Sequence, residues 1–184
     1  MAADEEIREV EERAATDPSV RAAINNFSIS LEKNAIKNAI APPAVVKPFL
    51  MATLDLMERL AKGETLGSPP KMHSNSKIAD YEDWLNRPDM ALTPYFEGVY
   101  AKIIGYTPKI ITAIVWLREM APDEVHHSEY KNFLIVEGTC SITIEEEVHN
   151  LVPGDYLAIP LYKNHFVTVT SEEVCKVILQ RVAA

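Results

Sequence analysis

The hydrophobic positions of this chain change period once. Up to residue 63 they recur at helical spacing, and from about residue 97 they alternate or form short blocks bounded by Gly and Pro. In the first segment, DEEIREVEERAA, Ile7, Val10 and Ala14 form one stripe, and the acidic start suits a helix N-terminus. Asp17-Pro18 reads as a cap followed by Pro in the first turn. It opens a second helix, from about Ser19 to Ile40, with Val20, Ala23, Ile24, Phe27, Leu31, Ala35 and Ile36 on one broad side. Pro42-Pro43 stops that helix. A third, near Ala44 to Lys62, carries Val45, Phe49, Leu50, Leu54, Met57 and Leu60 before Gly63. Residues 64–77, ETLGSPPKMHSNSK, read as a semi-extended linker, with His73 exposed. IADYEDWLNRP then reads as a short helix ended before Pro88.

The remainder is written in strands. FEGVYAKIIG and KIITAIVWLRE are two strands turned at Tyr106-Thr107-Pro108, with Trp116 expected to help fill a barrel core. NFLIVEG, TCSITIEEE, YLAIP, HFVTVT and CKVILQRV follow, with VPGD a tight turn and the last strand half-buried. Glu145 to Glu147 read as a solvated hairpin, with His149 exposed on it. The fold class is α+β: short N-terminal helices (1–63), the linker (64–77), and an antiparallel barrel (78–184). Four of the five histidines lie between Glu124 and His165. Residues two apart on a strand share a face, so Glu124 and His126 can converge, whereas His126 and His127 cannot both point inward. With His165, they could offer two imidazoles and a carboxylate to one divalent metal such as Zn, Fe, Ni or Mn. Lys131 opposes that reading, because an ammonium repels a cation. The alternative is a barrel without metal, in which Lys131 pairs with Glu124 or with an acidic ligand. His127 and Glu129 are expected to face solvent.

The barrel segment resembles the cupins, a double-sheet (jelly-roll) family with two linked motifs. The second motif, G-x5-P-x-G-x2-H, is met by Gly154, Pro160 and His165, with Tyr162 at the inner Gly position. In the first, H-x-H-x3–4-E-x6-G, Gly138 matches and Lys131 stands at the Glu position. The longer spacing puts Glu124 and His126 at the two His positions, and the shorter one puts Val125 and His127 there. The resemblance implies the cupin barrel, a small-molecule ligand within it and a homodimer. Lys131, Tyr156 and Tyr162 are the expected ligand-contacting groups.

The helical segment resembles the anti-sigma domain of bacterial membrane-stress and oxidative-stress regulators. Glu9, Val10, Glu11, Ala14, Pro18, Pro42, Pro43 and Lys47 stand at matching places. The H-x3-C-x2-C motif of that family is missing, so the resemblance implies a zinc-free form. It also implies a sigma factor as partner, clamped by the helices and released by a change in a cupin sensor. A helical appendage packed on its own barrel or on a dimer mate is the plainer alternative. For the barrel, the alternative is a metal-dependent cupin enzyme of dioxygenase or isomerase type.

Composition removes other classes. The 184 residues are 47% hydrophobic and 24% charged with net charge −9, which disfavours a duplex-binding role. No apolar run approaches the roughly 20 residues of a membrane-spanning helix. Cys140 and Cys175 form no CxxC pair, which fits a reduced, cytoplasmic protein. No Ser-His-Asp signature, phosphate-cradling loop or dinucleotide fingerprint is present.

Overall fold

The computed structural model describes residues 4–40, 42, 45–93 and 95–184, in two compact units, Met1–Pro42 and Pro43–Ala184. The first unit is the helix pair α1 (Asp4–Thr16) and α2 (Pro18–Lys37). Between them the Asp17 carboxylate accepts from the Ser19 N–H at 2.8 Å, with Pro18 in the first turn of α2. The Arg21 guanidinium donates to the Ala14 and Ala15 carbonyls at 3.1 and 3.2 Å, satisfying acceptors that α1 leaves open. Neither helix buries a residue. Pro43 and Ala44, expected to stop one helix and open the next, lie outside the described residues.

The second unit begins with α3 (Val46–Ala61), then a 3-10 turn (Ile78–Tyr81) and α4 (Glu82–Leu85). Nine strands follow among the described residues. They are β1 (Val99–Tyr106), β2 (Ile110–Leu117), β3 (Met120–Glu124), β4 (Glu129–Glu137) and β5 (Cys140–Ile144), then β6 (Glu147–Leu151), β7 (Tyr156–Ile159), β8 (His165–Val169) and β9 (Cys175–Ala183). They form two antiparallel sheets, β1-β2-β9-β4-β7 and β3-β8-β5-β6, which face each other as a cupin-type barrel. Strand β3 escapes the sequence pattern because Pro122 interrupts it. It lies at a sheet edge, where a missing N–H is tolerated.

The core has two layers. Between the sheets, Ala113, Val115, Leu117, Phe133, Ile135, Ile142, Val167, Val177 and Leu179 pack together. On the other face of the five-stranded sheet, Ile104, Ile114, Trp116, Leu134 and Ile178 pack under Met72, Tyr81 and Met90. Trp116 therefore fills this outer layer rather than the barrel interior, because it has the parity of Ile114 on β2. Strand β9 is likewise buried on both faces instead of one.

Two expected boundaries shift accordingly. Helix α3 belongs with the barrel: Phe49, Ala52 and Leu56 sit at helical spacing on one side and join the inter-sheet core. Residues 64–77 are laid on the sheet, with Met72 and Ser76 buried. The fully buried Gln180 holds this segment down. Its Oε1 accepts from the Met72 N–H at 2.8 Å, and its Nε2 donates to the Pro70 carbonyl and to Thr112 Oγ1 at 3.1 and 3.0 Å. Gly105 allows the approach, since a Cβ there would lie 2.4 Å from Pro69 Cδ. Gln180→Leu leaves the buried Met72 N–H without its acceptor and takes one of two donors from the Pro70 C=O, which keeps the Tyr81 hydroxyl. It is expected to lower the unfolding free energy by about 2–4 kcal/mol in urea titration and to speed proteolysis within 64–77. Unchanged stability would contradict this role.

Candidate metal centre

The strand register brings the chemistry-bearing residues to one end of the barrel. Glu124, at the end of β3, pairs across the sheet with His165, the first residue of β8. His126 follows in the β3–β4 connection, where its carbonyl accepts from the Tyr162 N–H at 2.8 Å. Lys131 comes from the opposite sheet, two residues before Phe133 on β4, and therefore shares its inward face.

These four side chains meet. Metal-ligating atoms of Glu124, His126 and His165 all lie within 4.8 Å of one another. The two imidazole rings are 5.0 Å apart between centroids. The Lys131 ammonium donates to Glu124 Oε2, so an ion pair bridges the two sheets. His126 Nε2 lies 3.1 Å from the same carboxylate oxygen. That nitrogen is buried and has no aligned hydrogen-bond partner among the described residues. Its side chain is 10% exposed and that of Lys131 5%. A carbonyl can only accept, so the contact between His165 Nδ1 and the Lys163 oxygen at 3.3 Å makes Nδ1 the donor. This leaves His165 Nε2 as the nitrogen with a free lone pair.

Burial pushes the Glu124 carboxyl up, but the charge and hydrogen bond of Lys131, with His126 and Arg181, outweigh it and hold it below the ordinary carboxylate range. Burial pulls the Lys131 ammonium down against the opposing pull of Glu124. Burial, reinforced by the Lys131 charge, draws His126 down to about 4. His165 is also lowered, first by burial. Both imidazoles are thus neutral near pH 7, the form that ligates metal.

Fit to a divalent metal can be judged on these groups. Two neutral imidazoles and a carboxylate converge, and one buried nitrogen lacks a partner. With metal–ligand bonds of about 2.1 Å, the ligand atoms of a tetrahedral site lie about 3.4 Å apart, so the three groups would have to draw together on binding. Glu124, His126 and His165 could therefore hold such an ion, whose contribution would be Lewis-acid polarisation or activation of water. Lys131 is the group that stands against it.

The other expected site residues lie elsewhere. Tyr156 is on the outer face of its sheet, where its hydroxyl donates to Asn132 Oδ1 at 3.0 Å and its ring joins the Met72 and Tyr81 layer. Tyr162 is exposed, with its ring edge-on to His127 at 5.5 Å. Its φ of 61° explains why the motif favours Gly there, and it contributes its backbone N–H rather than its side chain. His127 is exposed, as expected, but Glu129 is half-buried. Glu129 Oε1 lies 3.0 Å from Arg181 Nε and 3.7 Å from His126 Nδ1, and the Arg181 guanidinium lies 4.7 Å over the Phe49 ring of α3. Sequence reasoning missed this pair. The signal was the shared strand parity of Glu129 and Lys131.

Beside the cluster lies a cavity of about 30 Å³, lined by Phe49, Val99, Val115, Phe133 and Val167, with Glu124, Lys131 and His165 as its polar groups. One water needs about 10–15 Å³ on this measure, so the space suits an ion or a water pair rather than an organic substrate.

Two antiparallel sheets with inward His and Glu at one barrel end define a cupin-type architecture. The family model described as Cupin domain matches residues 114–180, from within β2 to within β9. No curated protein matches the chain. Similar solved structures include KdgF from a Halomonas species, at 20% identity over 49% of this chain and 84% of that one, TM-score 0.44. A cupin superfamily protein from Desulfitobacterium hafniense is 15% identical over 66% of this chain and all of its own, TM-score 0.46. The cupin domain of Cnp3 from Schizosaccharomyces pombe is 10% identical over 48% and 67%, TM-score 0.46.

The depressed His126 sets a pH dependence for metal-free protein. The unfolded imidazole takes up a proton near pH 6.5 and the folded one only near 4, so the unfolded state binds more protons between these values. Stability is therefore present above pH 6.5 and lost as pH falls towards 4. Chelator-treated protein is expected to show a falling thermal midpoint across this window, with a shallower slope in His126→Gln. Equal slopes in the two proteins would contradict the assignment.

Proposed function

We propose that this protein is a cupin-type regulator that binds a protein partner through its N-terminal helices, the partner being a sigma factor. The observation that carries the reading is that α1 and α2 bury none of their side chains. Ile7 and Val10 on α1, and Ile24, Phe27, Ile29, Leu31 and Ile36 on α2, are all exposed, Phe27 at 66%. Helices of this length draw most of their stability from packing an apolar face, so a partner is the natural source of it. Helix α3 adds Leu50, Met51, Leu54 and Met57, exposed on the side away from the barrel core. The sigma-factor identity rests on the resemblance of this segment to anti-sigma domains. Among the described residues no helix is long and apolar enough to cross a membrane, so these apolar faces are not read as a membrane span. Association of two copies through the barrel sheets belongs to the same proposal.

Sensing would be the barrel's task. A signal changes partner affinity only if it binds the clamped and free states differently. Metal at the Glu124 cluster could do so through Glu129 and Arg181, whose guanidinium rests on Phe49 of α3. The competing reading, a metal-dependent cupin enzyme, is favoured by the Glu124, His126 and His165 cluster. It is disfavoured by the small cavity, since substrate pockets usually measure about 300–1,000 Å³.

The test is capture of sigma factors by the full chain, compared with Phe27→Asp. A sigma factor is expected on the wild-type chain, with at least roughly tenfold weaker binding to the variant, in line with a buried aromatic anchor. No sigma factor on the wild type, or equal capture by both, would overturn the proposal.

A further inference from the structure

Lys131 is a cation already seated among the groups that could take a metal. Its ammonium comes from β4 of one sheet and lies on Glu124 from β3 of the other. Glu124 is the only carboxylate in the Glu124, His126 and His165 cluster, so one oxygen set is shared between the tethered cation and any diffusing one. With two neutral imidazoles, the cluster and Lys131 together carry no net charge. A divalent ion entering beside an ammonium in this buried space would meet direct repulsion and would also lose the full charge of its carboxylate ligand. His126 Nε2, buried and without an aligned partner, shows that the ammonium leaves part of the cluster's donor capacity unused.

We infer that Lys131 is an intramolecular competitor for a divalent cation at Glu124, His126 and His165, so that this site binds metal only when the Lys131–Glu124 pair opens. The cluster is then an exchange site, with a fixed monovalent cation traded for a divalent one. This makes metal occupancy conditional on free metal concentration rather than permanent. The inference concerns only the barrel and does not depend on what the helices bind.

The test is a zinc titration of metal-stripped, full-length protein against a chromogenic chelator, for wild type, Lys131→Met and Lys131→Gln. Folding of each is checked by circular dichroism. Both variants are expected to bind one zinc per chain roughly 10- to 100-fold more tightly than wild type, the usual scale for groups that tune a metal's ligands. The double variant Lys131→Met with His126→Ala is expected to lose that gain. A variant that is unfolded without metal is expected to fold when zinc is added, because Glu124 then regains a cationic partner. Folded variants that bind zinc no more tightly than wild type would overturn the inference. So would a gain that survives His126→Ala, or an unfolded variant that saturating zinc does not rescue.

Discussion

The barrel mouth is organised by one constraint: an ammonium buried in an apolar interior must have a carboxylate on it. Taking either charge out of water costs several kcal/mol, and only close pairing and hydrogen bonding offset that. The strand parity that turns Phe133 and Ile135 inward also turns Lys131 inward. The register that sets Glu124 opposite His165 places its carboxylate across the gap from Lys131. The pair thus adds an ionic link between the two sheets to the apolar contacts of the core. At this site the Lys131 charge and hydrogen bond hold Glu124 ionised, while burial first, and then the Lys131 charge, keeps His126 neutral.

Around this pair the rest of the second unit is layered. Helix α3 contributes Phe49, Ala52 and Leu56 to the inter-sheet core, and Arg181 bridges from Glu129 to the Phe49 ring. At its far end Arg59 binds Asp55 and Glu64 at 2.8 Å and donates to the Ile103 carbonyl of β1 at 2.5 Å. Both ends of α3 are therefore tied to the barrel through arginines, while its opposite side keeps Leu50, Leu54 and Met57 exposed. Helix α3 thus has one face committed to the barrel and another left apolar.

Much of this was legible in the sequence because it depends on period. Seven of the nine described strands fall on runs that alternate or are apolar throughout, whereas β3 and β6 do not, β6 having been read only as part of a solvated hairpin; Gly138, with φ 69°, ends β4 where the pattern stops. Glu124, His126 and His165 converge as strand parity implied, and the Lys131–Glu124 pair was one of the two alternatives that it left open. What period cannot tell is what covers a strand's second face. Trp116 and Ile178 looked like barrel filling or an exposed edge until residues 64–92 were seen to lie over them. Tyr156 lies away from the Glu124 cluster for the same reason, bonded to Asn132 under that cover. Tyr162 is likewise apart from the cluster, its backbone left-handed and its ring exposed beside His127.

The account turns on Lys131 being held as an ammonium on Glu124, and nitrogen-detected NMR of the lysine side chains in metal-free protein tests this most directly. Solvent-exposed lysines such as Lys33, Lys37 and Lys163 give averaged, fast-exchanging signals.

 The account predicts one slowly exchanging ammonium resonance, displaced from those of the solvent-facing lysines and lost in Lys131→Met. It also predicts that this resonance shifts in Glu124→Gln, where the carboxylate charge is removed. A Lys131 signal that exchanges and titrates like those of the surface lysines would contradict the account.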